Sequence, residues 1–141
     1  METFCKSGGI MISSNAFSYV NVLDKAADAS WLRETVISNN IANVDTPNYK
    51  RHDVEFSDVL ETELLKTKYG SVNAAVNHLD FSDLNGYEYE DSSNYSYRLD
   101  GNNVDVDTEN VELAGEQIKY QAITSAISQN FSRFDTVTRS S

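Results

Sequence analysis

From Ser14 to Asn43 the chain holds neither proline nor glycine. Val20, Leu23, Ala27, Ile37, Ile41 and Val44 fall there on the a and d positions of one heptad register. Ser30 and Glu34 interrupt the stripe, and Phe17 and Trp31 widen it on one flank. Apolar residues at this spacing form one face of a long amphipathic helix. Ser13 or Ser14 stands where a side chain can cap the helix start by accepting an orphaned backbone N–H. Pro47 marks its end, because the proline ring pushes Thr46 out of helical conformation. The pattern predicts a first helical arm over residues 14–46. Its thirty uninterrupted residues, at about 1.5 Å each, make a cylinder of roughly 45 Å.

The other end mirrors this arm. Between Glu109 and Arg139 only Gly115 interrupts, and Leu113, Tyr120, Ile127 and Phe134 recur every seven residues. Ile123 and Val137 fill the companion positions, Glu116 and Asn130 break them, and Phe131 broadens the face. Asp107 or Thr108 can cap the start. Glu109 and Glu112 suit the positive end of the helix dipole, and Arg133 and Arg139 the negative end. A second helical arm is expected over residues 108–141.

The middle, residues 47–107, is patterned differently. Ser57 to Tyr69 predicts a short helix, with Ser57 as cap and Val59, Leu60 and Leu64 on one side. After Gly70 the periodicity fades. Tyr87-Glu88-Tyr89-Glu90 and Tyr95-Ser96-Tyr97-Arg98 alternate as exposed strands do. Asp100-Gly101-Asn102-Asn103 is turn chemistry, followed by the alternating Val104-Asp105-Val106-Asp107. The expected fold is mainly α: two long terminal amphipathic helices pair as a coiled-coil-like hairpin, with a short helix and a small β-ribbon or mobile loop between them. A two-helix hairpin buries one stripe per helix, so Phe17, Trp31, Val36, Ile118 and Phe131, which lie beyond the a/d line, call for further partners. A self-contained hairpin and an assembly both remain open on the pattern alone.

Charge narrows the classes. The 141 residues carry 11 Lys plus Arg against 22 Asp plus Glu, a net charge of −11. That argues against a nucleic-acid partner, which needs a basic face to replace phosphate counterions, and against an anionic membrane surface. No apolar run approaches the ~18 residues of a membrane span. The start, Met1-Glu2-Thr3-Phe4-Cys5-Lys6, lacks the apolar core of a secretory signal. The single Cys5 cannot form an internal bridge. By segment, residues 47–107 carry −8, residues 14–46 carry −2 and residues 108–141 carry −1. The arms are nearly neutral, as close packing against like copies requires.

Candidate chemistry is sparse. His52 and His78 stand 26 residues apart in polar surroundings. Cys5 has no positive neighbourhood beyond Lys6 to activate a thiolate. No G-x-G-x-x-G, P-loop or G-x-S-x-G occurs. A calcium loop built on Gly86 would need Phe81 as its first ligand and Ser92 in place of the closing Glu, and one built on Gly101 would need Arg98 as its third position. No catalytic, cofactor-binding or metal-binding residue is expected, and no small-molecule substrate.

The first arm ends in Ser38-Asn39-Asn40-Ile41-Ala42-Asn43-Val44-Asp45-Thr46-Pro47-Asn48-Tyr49-Lys50. Asparagine tolerates left-handed backbone and bonds its own chain, which suits a helix terminus. Thr46-Pro47 sets an extended exit. This stretch resembles the N-terminal signature of the bacterial flagellar axial proteins, the rod, hook and hook-associated family, in which a helix closes in a segment near A-N-N-[IL]-A-N-x-x-T-P-x-Y-[KR]. Asn39, Asn40, Ala42, Asn43, Thr46, Pro47, Tyr49 and Lys50 stand in register, while Ser38 and Asn48 replace a common Ala and a common Gly. Gly101 to Asp107, then Glu109, Val111 to Ala114 and Ile118 to Ala122, are similar to the C-terminal block of the proximal rod proteins. The short length agrees, since hook and distal rod relatives carry large inserts. Ile12 to Phe17 and Phe131-Ser132-Arg133-Phe134 point to the FlgB type, with the FlgC type as nearest competitor. The resemblance covers both arms, about half the chain, and fades between Asp53 and Asn94.

The resemblance implies a structural subunit of the flagellar basal-body rod, polymerising through its terminal helices for motility. It implies export through the flagellar type III channel without a cleaved signal peptide. Its implied partners are other rod subunits, the adaptor FliE, the ring protein FliF and the export apparatus. Val20, Leu23, Ala27, Ile37 and Ile41, with Leu113, Tyr120, Ile127 and Phe134, are the expected assembly interface. A soluble helical adaptor or export chaperone would explain the heptads and the acidity but not the Asn-rich Thr-Pro-x-Tyr-Lys exit.

Family members usually begin near the position of Met11, and codons for Ser7-Gly8-Gly9 can form a purine-rich ribosome-binding sequence. Residues 1–13 are therefore expected to be an N-terminal extension that is in large part untranslated, with Met11 as the start. Mass spectrometry of the native N-terminus checks this. A terminus at Met11 or Ile12 is expected, and a peptide containing Cys5 refutes it.

Overall fold

A computed structural model of the protein describes residues 15–90 and 99–139. The elements run α1 (Asn15–Ala42), β1 (His52–Glu55), α2 (Ser57–Lys66), α3 (Val72–Asn77), β2 (Tyr87–Glu90) and α4 (Val106–Arg139). The chain is mainly helical, and the two long terminal helices pack along each other as the heptads predict. Glu109 meets Asn40 at one end and Phe134 stacks on Phe17 at the other, so α1 and α4 run antiparallel.

Both arms have different ends from those expected, for local reasons. α1 stops at Ala42, four residues short of Thr46. The Asn43 N–H is shared between the carbonyls of Asn39 and Asn40, 3.1 Å from each, and its side-chain amide donates to Asn39 O at 2.8 Å. Such a side chain competes with the helical ladder and turns the chain before Pro47 is reached. α4 starts at Val106, so Asp107 and Thr108 lie inside it and residues 104–107 are not a strand. The cap is Asp105, whose carboxylate accepts from Asp107 N at 3.1 Å and Thr108 Oγ1 at 3.0 Å. In α2 the N-cap is Phe56 and Ser57 is the first helical residue. Glu55 stands in for the missing cap by accepting the Asp58 N–H at 3.0 Å. α2 also ends at Lys66, short of Tyr69, and Lys68 turns to φ +55°. The caps expected at Ser13 or Ser14 and the strand expected at residues 95–98 lie outside the described residues.

The ribbon contains one strand that alternation predicts and one that it does not. Tyr87–Glu90 pairs antiparallel with His52–Glu55, in the register His52↔Glu90 and Glu55↔Tyr87. α3 was also unmarked in the pattern. It is six residues long, and Ser71 caps it by accepting the Ala74 N–H at 3.3 Å.

α1 is the central element. It packs on α4 and also on β1, β2 and α3. The apolar core is drawn from α1 (Val20, Ala27, Ala29, Val36, Ile37), from Val54, and from Ala75, Val76, Leu79 and Leu84 on and after α3. Val36, expected as a spare apolar residue, is 3% exposed in this core. Residues 71–90 are thus seated on α1 through α3, Leu79, Leu84 and β2. Tyr19 OH donates to Asn73 Oδ1, and Lys25 Nζ to Asn85 Oδ1 at 2.8 Å. α4 buries no apolar residue at all; Glu109 and Glu116 are its buried side chains.

Two glycines separate tight from open packing. A Cβ on Gly86 would sit 3.1 Å from Ala29 Cβ and 3.2 Å from Val54 Cγ1, whereas one on Gly115 would meet nothing within 4 Å. Gly86→Val is expected to destabilise by about 1–3 kcal/mol through overpacking. Gly115→Ala, inside a helix, is expected to stabilise by roughly 0.5–1 kcal/mol. Urea unfolding midpoints measured side by side check both signs.

Candidate assembly site

The two sequence blocks that resemble the axial proteins fold into a single clasp. Asn40, at the last turns of α1, is fully buried. Its Oδ1 accepts the His52 N–H at 3.0 Å and the Tyr49 hydroxyl at 3.2 Å, and its Nδ2 donates to His52 O at 2.7 Å and Glu109 Oε2 at 3.0 Å. One amide side chain thus pairs with both backbone groups of His52 as a neighbouring strand would. From the second block, buried Asn102 places its Nδ2 2.9–3.0 Å from the carbonyls of Asn43, Val44 and Thr46, and accepts the Val104 N–H at 2.8 Å. Asn48 N donates to Asp100 O at 2.8 Å, Lys50 Nζ to Gly101 O at 2.7 Å, and Arg51 N to Asn103 Oδ1 at 2.7 Å.

The backbone explains two residue choices. Asn48 has φ +60°, a left-handed conformation that Gly adopts freely and Asn tolerates. Gly101 has φ +75°, and a Cβ there would lie 2.9 Å from Asn48 Oδ1. Of the motif residues, Asn40, Asn43, Thr46, Tyr49 and Lys50 are tied into the clasp by side chains, the last by its bond to Gly101. Thr46 Oγ1 donates to Asn43 Oδ1 at 3.2 Å, and Asn39 contributes its carbonyl. Ala42 and Pro47 are exposed at the end of the hairpin.

Beside the clasp lies a charge cluster that the heptad reading did not foresee. Arg33 Nε is 2.7 Å from Asp53 Oδ1, its Nη1 3.0 Å from Glu116 Oε2 and its Nη2 2.9 Å from Glu112 Oε2. Arg51 bridges Glu109 at 2.5 Å and Asp53 at 3.1 Å. Ser30 Oγ donates to Glu116 Oε1 at 2.5 Å, and Lys119 Nζ reaches the same oxygen at 3.0 Å. Ser30 and Glu116, the polar breaks in the two apolar stripes, therefore meet each other. A signal was present: Glu109, Glu112 and Glu116 follow the helical spacing of an inward-facing row.

These bonds set the protonation states. The bond to Asp53 raises Arg33 far above its ordinary value, against the opposing effect of burial, with Glu116 and Glu112 adding to the rise. Burial pushes the Asp53 carboxyl up, but its bonds to Arg33 and the Val54 N–H outweigh that and hold it low. Burial likewise pushes Glu116 up and is outweighed by Ser30, Lys119 and Arg33. Tyr49 is raised by burial and by the charges of Glu88 and Glu109, so it keeps the proton it donates to Asn40.

Chemically the cluster is a lock, since every charged member has a partner. His52 Nδ1 is 2.8 Å from Glu88 Oε1, and the His78 ring stacks on Tyr69 at 4.5 Å. Among the described residues no three His, Cys, Asp or Glu side chains are grouped to hold a metal ion, and no helix is long and apolar enough to cross a membrane. Cys5 lies outside the described residues.

The expected interface residues line the inside of the hairpin. Val20, Ala27 and Ile37 are buried, while Leu23, Ile41, Leu113, Tyr120, Ile127 and Phe134 are half-buried. Phe17 stacks on Phe134 with ring centroids 4.8 Å apart. What faces outward instead is Trp31 (61% exposed), Val111, Ile118 (69%) and Phe131.

Asp53 and Glu116 are both lowered on folding. The stability they contribute is present above the ordinary carboxylate values, near pH 4, and is lost as pH falls through the lowered ones. The urea midpoint should therefore drop between about pH 5 and pH 2, less steeply in Glu116→Gln. Arg33→Ala leaves Asp53 without its main cation and takes one of two cations, the other being Lys119, from Glu116, and should cost about 3–5 kcal/mol at pH 7. A midpoint that stays flat in acid would refute the lock.

Comparison with known proteins follows the same residues. A family model described as flagella basal body rod protein matches residues 33–50, from Arg33 of the cluster to Lys50 of the clasp. Over longer stretches the chain is similar to the flagellar basal body rod protein FlgB of Bacillus subtilis strain 168, 40% identical over 116 residues that cover 82% of this chain and 88% of that protein. It is 33% identical to FlgB of Borrelia hermsii over 120 residues, covering 79% and 89%. It is 29% identical to FlgB of Escherichia coli K12 over 103 residues, covering 68% and 75%. The clasp, the paired terminal helices and these likenesses converge: the chain belongs to the FlgB family of flagellar basal body rod proteins.

Proposed function

We propose that this chain is a structural subunit of the proximal flagellar rod, polymerising through α1 and α4, and that it has no catalytic role. The observation that carries this reading is the pair of opposed faces on the hairpin. The inner face is locked by the clasp and the charge cluster within one chain. Beyond that lock, Trp31 and Phe131 beside the stripes and Val111 and Ile118 on the far side of α4 stay uncovered. Large apolar side chains in water are unfavourable by about 25 cal/mol per Å² of apolar surface that could be covered, which favours a neighbour of similar shape. Near-neutral arms permit such packing between identical copies, while the charge of −8 on residues 47–107 suits the solvent side.

The partners in this reading are other rod subunits, the adaptor FliE and the ring protein FliF. The chain would travel through the flagellar export apparatus without a cleaved signal peptide and reside in the basal body.

Deletion and complementation test the reading. A strain lacking the gene should be non-motile and yield basal bodies without a rod, and the intact gene should restore both. Trp31→Asp, at an exposed site, should leave the helical circular-dichroism signal and solubility unchanged yet fail to restore swimming. A deletion strain that swims and builds complete basal bodies overturns the proposal.

A further inference from the structure

α2 is a ten-residue helix with none of its residues buried. Between it and the α1–α4 pair runs an open groove of about 490 Å³, floored by Ala26, Phe56, Leu60, Leu64 and Leu65 and edged by Glu61 and Lys119. Leu65 is 70% exposed. A helix this short is marginal in water unless an apolar face is packed. Its acidic side is also uncompensated. Glu63 is taken by Lys66 at 2.5 Å, whereas neither Asp58 nor Glu61 has a cation partner among the described residues.

A complementary surface exists on α4. Val111, Gly115, Ile118, Ala122, Ser125, Gln129 and Arg133 recur at spacings of three or four, so they form one row along the helix. The row lies opposite Leu113, Glu116, Tyr120 and Ile127, and all of it is exposed. It is uncharged from Val111 to Gln129 and mostly small, which lets another helix approach closely. It ends in Arg133, which pairs with no carboxylate among the described residues, Asp135 being taken by Arg139 at 3.1 Å.

We propose that the outward row of α4 in one copy docks in the α2 groove of the next copy; this deepens, and rests on, the rod-subunit reading. Laid antiparallel to α2, Ile118 covers Leu65, and Ala122 and Ser125 cover Leu64 and Leu60. Arg133 follows about 12 Å beyond Ser125, and its side chain leans back toward the α4 N-terminus to reach Asp58, which lies about 3 Å beyond Leu60 in the same direction. Groove and row are different surfaces of one molecule, so the contact is heterologous. Each copy keeps a free groove at one end and a free row at the other, which builds an open filament rather than a closed dimer.

The test uses the full chain in a Cys5→Ser background. Leu65→Cys and Ile118→Cys, the pair placed in direct contact, are made in separate proteins, mixed at rising concentration and oxidised. A disulfide-linked heterodimer that forms only in the mixture is expected. Links between two Leu65→Cys chains, or links to another rod subunit in place of this chain, overturn the proposal, as does no link at all. Asp58→Arg and Arg133→Glu should each raise the concentration needed for association by about threefold, and chains carrying both changes should regain it. Ile118→Asp should raise it roughly tenfold while leaving the unfolding midpoint unchanged, since Ile118 is exposed. Failure of these links in a chain that still restores motility leaves the rod-subunit reading intact and removes this contact alone.

Discussion

Burial of charge at the junction of α1, β1 and α4 is the constraint on which the rest depends. Glu109 is fully buried and Glu116 is 2% exposed. An unpaired carboxylate in such a place is far costlier than any apolar contact it displaces, so it is tolerated only where cations and donors meet it. Arg51 must lie over Glu109, and Arg33 must reach Asp53, Glu112 and Glu116 at once. Sliding α4 along α1 by one turn, about 5.4 Å, would break the bonds to Glu109, Glu112 and Glu116 together. An apolar heptad seam alone would not resist such a slip strongly, because leucine and isoleucine pack acceptably in several registers. The polar breaks therefore specify which pairing of the two helices is native.

The clasp depends on that register. Asn40 holds both backbone groups of His52 and also touches Glu109, so the end of α1, the start of β1 and the first turns of α4 are set at one point. Asn102 then closes the turn after α1 through three carbonyls. Two blocks some fifty residues apart become one structural unit. Their residue types follow from backbone geometry and buried hydrogen bonding, with no need of reaction chemistry. With Asn40, Asn102, Glu109 and Glu116 satisfied in this way, the pairing of α1 with α4 is set, and Trp31, Val111, Ile118 and Phe131 remain exposed.

The parts of this architecture that were legible from sequence share one property: they are local and periodic. The long helices and the Tyr87–Glu90 strand follow from spacing alone, while the pattern leaves open whether the two helices pair within one chain. β1 did not, because its alternation is too short and sets His52 beside Asp53, and the burial of Asp53 and the preceding Arg51 makes sense only beside Arg33 and Glu109. α3 did not, because six residues carry less than two helical turns of pattern. The helix ends shifted because Asn43 and Asp105 act through side-chain bonds that outrank the more visible Pro47 and Thr108. Val36 reads as an excess apolar residue only while α1 has a single helical partner, whereas α1 packs on α4, β1, β2 and α3.

The heptad interruptions deserve a different reading in light of this. In a two-stranded seam, Ser30, Glu34 and Glu116 look like defects, and a sequence selected for stability alone would replace them with aliphatic residues. Ser30 and Glu116 are instead a matched pair. A protein whose arms must recognise copies of themselves faces a hazard that an ordinary hairpin does not: an apolar seam is also an invitation to the seam of a neighbour. Polar groups that can be satisfied only within one chain make the wrong, intermolecular seam costly, because there the carboxylates would be buried without Arg33 and Arg51 in place. The apolar row on the outside of α4 carries no such restriction. The division between a polar-locked inner face and an unlocked outer face lets one pair of helices fold first and associate afterwards.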